Sequence, residues 1–277
     1  MKICAHTLVK NEERFLWFAV TSVVEHVDRV LLWDTGSTDK TIKIAEALKK
    51  RYPEKIDFLE VGNITASEFP KMRQKMLNET KADWFLVVDG DEIWWDESIR
   101  KVVKTIKKEG KDLDGIFVPT INLVGDMYHY QEEAAGKYKI QGKMGHLALR
   151  AINRNIPGLA SRNPHGTWGW VDGEDKMVQE RKKIKFVDAP YMHTTFLRRS
   201  GSFEDDKKVP KRKLKRKYEL GIPFLLDYFY PESFFRDRPR VVRSVWDSID
   251  TKYLLKSTWQ TPLKKVKRRL VSGKPGY

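Results

Sequence analysis

WFLVVDGDEIWW (residues 84–95) sets five apolar residues against a turn carrying Asp89, Asp91 and Glu92, then returns to apolar chain. A run this short and this apolar predicts a buried strand, and the acidic turn places three carboxylates at its mouth. Carboxylates beside a buried strand are costly unless a cation or a set of donors compensates them. Asp89 and Asp91 flank Gly90, which lets the backbone bend so that both can face one ion. Hard oxygen ligands favour Mg²⁺ or Mn²⁺, which keep water and share their shell with phosphates. Such pairs also occur on solvated turns, so the chain around the quartet decides its meaning.

Working outward, KICAHTLV (2–9) and RVLLW (29–33) predict two more buried strands. Between them Leu16, Ala19, Val20, Val23 and Val27 share one face of a helix. In DTGSTDKT (34–41), Gly36 supplies a turn, and Ser37 or Thr38 can cap the helix IKIAEALKKRY, which stops before Pro53. KIDFLEV (55–61) predicts a third strand. A stripe of Met72, Met76 and Leu77 marks a helix from about Pro70, which leads into the quoted strand as the fourth. Downstream, Asp96 can cap SIRKVVKTIKK, whose closing lysines and Gly110 signal a helix end. GIFVPTINL (115–123) follows as a fifth strand, and GHLALRAINR (145–154) and KKIKFVDAPYMHTTF (182–196) hold others. The polar, glycine-bearing stretch 122–143 reads as a long loop over the sheet edge, of a length that is usually functional or disordered. Strands alternating with helices imply an α/β fold with a mostly parallel sheet, and ligands in such sheets bind beyond the carboxyl ends of the strands. Asp34 and the quartet both fall on that edge.

With 277 residues, 40% hydrophobic and 12% aromatic, the chain can bury a sizeable core, and its single cysteine excludes an intrachain disulfide and a multi-thiolate zinc site. A reducing cytoplasm is expected. No apolar window has the roughly 18 residues of a membrane span, and the N-terminus meets charge before any signal-peptide core. The net charge of +15 is unevenly spread: residues 1–180 hold 27 Lys+Arg against 28 Asp+Glu, whereas residues 181–277 hold 26 against 10. A tail this basic, with aromatics between the charges, seeks an anionic surface. KKVPKRKLKRKYELGIPFLLDYFYPESFF (207–235) combines a cationic run with an apolar one, as an interfacial segment on anionic lipid does, and LKKVKRRL (263–270) repeats the theme weakly. Pro210, Pro223, Pro231, Pro239 and Pro262 break this tail into helical pieces.

In order and spacing, VKNEE (9–13), DTGSTDKT (34–41), Arg73-Gln74 in PKMRQKML and DWFLVVDGDE (83–92) resemble the successive signatures of family 2 glycosyltransferases, and YMHTTF (191–196) resembles their late metal-facing histidine more loosely. The resemblance covers about the first 95 residues. It implies a GT-A type fold, Rossmann-like, with the basic, mainly helical C-terminal part as an extension. It also implies an inverting transfer of a sugar from a nucleotide-diphosphate donor to a hydroxyl acceptor. By the same resemblance Leu8 and Glu12 line the nucleoside pocket and Asp34 holds the base or ribose. Arg73 approaches the diphosphate or supports the acidic site, Asp89 reaches the ribose or the metal, and Asp91 is the principal ligand of Mn²⁺ or Mg²⁺, with His193. The general base falls among Asp172, Glu174 and Asp175 in WVDGEDK, with Asp175 preferred; relatives with a His-Glu pair in the preceding segment differ from this chain, where Gly166 follows His165.

These readings divide the chain into a nucleotide-sugar half (1–120), an acceptor half of the same domain (121–200) and the basic extension (201–277). They predict a glycan or lipid-linked acceptor of the cell envelope, an anionic surface met by the extension on the inner face of the plasma membrane, and no nucleic-acid partner. The alternatives are a metal-dependent nucleotidyltransferase and a noncatalytic basic module binding nucleic acid.

Overall fold

The computed structural model of the chain describes residues 1–163, 168–209, 212–215, 217–270 and 274–275. His165, Gly166 and Pro210, weighed above, lie outside the described residues.

β1 (Ile3–Val9) is buried at all seven positions. It is followed by α1 (Leu16–Val23), β2 (Arg29–Asp34), α2 (Thr41–Arg51), β3 (Ile56–Glu60), α3 (Phe69–Glu79) and β4 (Trp84–Val87). Then come β5 (Glu92–Trp94), α4 (Asp96–Glu109), β6 (Gly115–Asn122), β7 (His129–Tyr130), β8 (Tyr138–Ile140), β9 (Lys143–Gly145) and β10 (Leu147–Asn153). A hairpin of β11 (Ala160–Arg162) and β12 (Gly169–Val171) precedes β13 (Ile184–Phe186) and β14 (Tyr191–His193). The C-terminal part holds α5 (Phe203–Lys207), α6 (Arg212–Lys215), β15 (Ile222–Pro223) and the twenty-residue α7 (Thr251–Leu270).

The main sheet runs β3–β2–β1–β4–β10–β6–β14–β5, with β13 also pairing β6. β1, β2, β3 and β4 are parallel, and β10 is antiparallel to both β4 and β6, so β6 points the same way as β4. β14 and β13 run parallel to β6, and only β5 and β10 oppose the rest. The sheet therefore gathers at one edge the chain after Val9, Asp34, Val87, Asn122 and His193, and the starts of β5 and β10. This is the edge on which the sequence places its acidic residues.

Several elements differ from expectation for identifiable reasons. α1 is buried on every side, not on one face, because Phe234, Val242 and Val245 from the C-terminal part cover its outer side; the Phe18 and Phe234 rings stand 5.0 Å apart. Neither Ser37 nor Thr38 caps α2; Asp39 does so in effect, its Oδ1 accepting from the Thr41 N–H at 2.9 Å. Asp96 lies inside α4 and is held by Arg236 at 2.6 Å, while Gly110 closes that helix as predicted. β5 is a strand that the acidic quartet disguises. The loop 122–143 contains β7, β8 and part of β9. In the extension, helix is concentrated in α7, and Pro262 lies within it; the hydrogen bond it forfeits is on the solvent side of the helix.

Candidate active site

A cavity of about 430 Å³ opens at the gathered strand ends. Leu8, Val9, Lys10 and Glu12 enter it from β1, Thr35 from β2, and Asp89, Gly90 and Asp91 from β4. Thr120 and Asn122 come from β6, Leu147, Ala148 and Arg150 from β10, and Tyr191 and His193 from β14. The loop after β7 closes one side with Gln131, Lys137 and Tyr138, and the chain after β14 closes another with Thr195, Phe196 and Arg199.

Each carboxylate at the mouth of β4 has its own arginine. Arg73, buried on α3 against the rings of Phe69 and Trp168, donates to Asp89 Oδ1 at 2.6 Å. Burial alone would raise the Asp89 carboxyl, but Arg73 and Arg150 outweigh it and hold it below the usual range. Asp91 Oδ2 accepts from Arg199 and lies 3.3 Å from His193 Nε2; against burial, these two hold it well below the ordinary carboxylate range. Glu92 turns away from the cavity into the sheet, where Arg150 and the Tyr191 hydroxyl (3.1 Å) satisfy it. Glu12 accepts from Arg212, with Arg199 at 3.4 Å, yet burial prevails and pushes it up to about 7. Its second oxygen is buried without a hydrogen-bond partner among the described residues.

Half of the cations come from the chain that follows β14. Among the described residues, eight Lys and Arg side chains line the cavity against three carboxylates: Lys10, Arg73, Lys137 and Arg150 from the sheet half, and Arg199, Arg212, Lys215 and Lys217 from the strap that follows β14. Arg212 also donates to the carbonyls of Lys10 (2.8 Å) and Asn11 (2.5 Å), which fastens the strap across the end of β1. Burial lowers the Lys217 ammonium to about 8. A concave wall with a cationic surplus is a site for a multiply charged anion.

The structure thus brings Leu8, Glu12, Arg73, Asp89, Asp91 and His193 together. Asp34 is placed differently: its carboxylate closes the turn after β2, accepting from the N–H groups of Gly36 (2.9 Å) and Ser37 (2.8 Å) and from the Ser37 hydroxyl, and Thr35 is the residue that reaches the cavity. Asp172, Glu174 and Asp175 are not among the residues lining the cavity. Asp172 organises its own turn, accepting from the N–H groups of Glu174 (3.0 Å) and Lys176 (3.1 Å) and from Arg181. Asp175 sits at φ 56° with an exposed side chain facing Arg162 at 3.4 Å, and Glu174 is exposed. Arg150, Arg199 and Arg212 escaped the sequence reading; the signal for Arg199 is the Arg198-Arg199 pair five and six residues beyond His193.

Asp91 is kept ionised on the cavity wall, and the His193 imidazole is within reach of it. One carboxylate with one imidazole suits Mn²⁺ or Mg²⁺ that completes its shell with phosphate oxygens and water. Among the described residues no group of three or more His, Cys, Asp or Glu forms a closed cage. The residues therefore fit a cation shared with a ligand, provided Arg199 yields the Asp91 oxygen it now holds, and Asp89, given to Arg73, is a neighbour of that position.

The family model described as "Glycosyl transferase family 2" matches residues 4–170. A curated protein of Rickettsia bellii (strain RML369-C), "Uncharacterized glycosyltransferase", is 38% identical over 93 residues, 33% of this chain and 28% of that one. Among solved structures, S. aureus TarS aligns with a TM-score of 0.47 at 16% identity over 70% of this chain and 37% of that one. Glucosyl-3-phosphoglycerate synthase from Mycobacterium tuberculosis, in complex with Mn²⁺, uridine-diphosphate and glucosyl-3-phosphoglycerate, aligns with a TM-score of 0.47 at 14% identity over 85% and 92%. The chain thus spans about a quarter of the length of the curated relative it matches and about a third of TarS.

Proposed function

The chain belongs to glycosyl transferase family 2 and has its GT-A fold, and on that premise we propose that it moves a sugar from a nucleoside-diphosphate donor to a hydroxyl acceptor, with inversion at the anomeric carbon. One observation carries the reading: the Asp91–His193 pair and eight cations face a single cavity at the carboxyl edge of the sheet. A nucleoside diphosphate leaves with growing negative charge, and groups fixed where that charge develops lower the barrier. Arg199, Arg212, Lys215 and Lys217 are placed to receive it.

Leu8, Glu12 and Thr35 form the wall beyond β1 and β2 and bind the nucleoside. Asp91 and His193 are the residues that would hold Mn²⁺ or Mg²⁺, whose chemistry there is to neutralise the departing diphosphate. Arg73 locks Asp89 in place from behind. The loop carrying Gln131, Lys137 and Tyr138 faces the donor site from the acceptor side. There an acceptor hydroxyl of a glycan or lipid-linked sugar attacks C1 as the bond to the diphosphate breaks, its proton passing to water and the diphosphate leaving with the bonding electron pair. The WVDGEDK carboxylates lie off the cavity and are given no part in removing the hydroxyl proton. The basic nucleic-acid module is the weaker reading because the strap's arginines turn inward, onto Glu12 and Asp91.

Calorimetric titration with UDP, GDP and ADP, with and without Mn²⁺, tests the proposal. Binding of at least one diphosphate, strengthened by the metal and lost in Asp91→Ala, is expected. No binding of any of the three at millimolar concentration would overturn it. A panel of nucleotide sugars, scored for release of free nucleoside diphosphate, then identifies the donor.

A further inference from the structure

α7 wears its amphipathicity inside out. Tyr253, Ser257, Thr261, Lys264 and Arg268 recur at four, four, three and four residues and face the protein. They meet polar groups there. The Tyr253 hydroxyl donates to the Lys217 carbonyl at 2.6 Å, the Thr261 hydroxyl accepts from the Leu220 N–H at 2.8 Å, and Lys264 Nζ donates to the Tyr218 carbonyl at 2.7 Å. Arg268 pairs with Glu219 at 2.6 Å and Glu132 at 2.7 Å. Two residues further along, a second stripe of the same spacing is Leu255, Trp259, Leu263, Val266 and Leu270. Two residues are about 200° of helix, so this stripe stands opposite the first. It is solvent-exposed throughout, with Trp259 and Leu270 both 81% exposed.

Soluble helices keep such a stripe against their own core, and an exposed one marks an interaction surface. Its flanks identify the partner. Lys256 and Lys267 border the stripe on one side and Arg269 on the other, Lys252 stands at its N-terminal end, all four are exposed, and no acidic residue occurs anywhere in the helix. A tryptophan amid leucines, edged by cations, suits the boundary between acyl chains and anionic headgroups. A protein partner would need acidic rims on both sides of an apolar groove; a bilayer offers that arrangement everywhere. The helix cannot cross: among the described residues no helix is long and apolar enough to span a membrane.

We propose that α7 lies on an anionic bilayer surface, its Leu255–Leu270 stripe sunk among the lipids and its polar stripe holding the rest of the protein. The proposal stands apart from the reading of the cavity, since α7 contributes no residue to that wall. It adds α7 to the expected lipid-facing segment 207–235, of which Arg212, Lys215 and Lys217 line the cavity.

Co-sedimentation of the full chain with vesicles of phosphatidylcholine alone, or with 30% phosphatidylglycerol, tests it. Binding at least tenfold stronger to the anionic vesicles, weakening between 0.05 and 0.5 M salt, is expected. Trp259→Ser with Leu263→Ser should lower that binding tenfold or more while leaving the melting temperature and nucleoside-diphosphate titration unchanged. Lys256→Glu with Lys267→Glu should do the same for the anionic vesicles alone. Equal binding by wild type and the Trp259→Ser/Leu263→Ser variant would overturn the proposal. So would a lipid-free dimer, detected by sedimentation velocity, that the same two substitutions convert to monomer. Loss of nucleotide binding in the wild type would count against the transferase reading and leave this one standing.

Discussion

α4 and α7 are both striped helices, and they face opposite ways. α4 buries Ile99, Val102, Val103 and Ile106 beneath exposed lysines. α7 buries Tyr253, Ser257 and Thr261 and shows its leucines to solvent. The difference teaches that a stripe fixes two faces and leaves open which one is covered. The neighbour decides: α4 lies on the apolar side of α1 and the sheet, whereas α7 meets the carbonyls of Lys217 and Tyr218 and the carboxylate of Glu219. The same division separates the two parts of the molecule. The sheet half is held by apolar burial; the part after His193 is attached mainly by donors, acceptors and ion pairs, supplemented by the aromatic cover over α1.

The sharpest way to break the comparison is to place one charge on each helix. Ile106→Asp puts a carboxylate into the core without a partner and should cost about 4–5 kcal/mol in urea unfolding. A smaller cost would mean that α4 is not the anchored helix described. Next in size is Asp91→Asn, which strands the buried Arg199 and should cost about 3 kcal/mol. Adding Arg199→Met should recover a good part of that loss, because the unpaired cation goes with it. Single variants with no effect would show the strap to be a loosely held tail.

A third test belongs to the sheet half alone. His6 on β1 is buried, bonded to the Thr80 hydroxyl at 2.6 Å and stacked on Phe85, and burial followed by the charge of Arg73 lowers its imidazole to about 3. Unfolded, it titrates near 6.5. Below that pH the unfolded chain takes up a proton that the folded one refuses until about pH 3. The contribution of His6 is therefore full above 6.5 and falls by about 1.4 kcal/mol per pH unit as pH drops. The stability difference between wild type and His6→Gln should shrink at that rate, measured by denaturant unfolding from pH 7 to pH 5; a constant difference would contradict a neutral buried imidazole. The smallest effect is expected at α7, where Leu263→Asp should change stability by less than about 0.5 kcal/mol.

What was legible follows the same line. β1, β2, β4 and α4 could be read from the chain because apolar runs and a 3.6-residue period report burial directly. β5 could not: Glu92, Ile93 and Trp94 become a strand only because Tyr191, Met192 and His193 lie alongside them, a hundred residues away. Asp91 and His193 were legible as types, and their meeting is a product of that pairing. Arg199 and Arg212 were counted as surface charge, since composition reports how many cations a tail holds and nothing about where they point. The WVDGEDK acids illustrate the converse. Asp172 accepting from Glu174 and Lys176 is an Asx-type turn, and local geometry uses the carboxylate that a motif would assign to chemistry.

The clasp between Glu12 and Arg212 joins residues 200 positions apart, and it orders events on the ribosome. At 5–20 residues per second, synthesis delivers the arginine roughly 10–40 s after the glutamate. Until the strap is made, Glu12 and Asp91 lack the arginines that balance them, so the nascent sheet can form while its binding pocket cannot. A stop codon between β14 and α6 would thus release a chain with most of its strands and no finished site, a client for chaperones and proteases rather than a smaller enzyme.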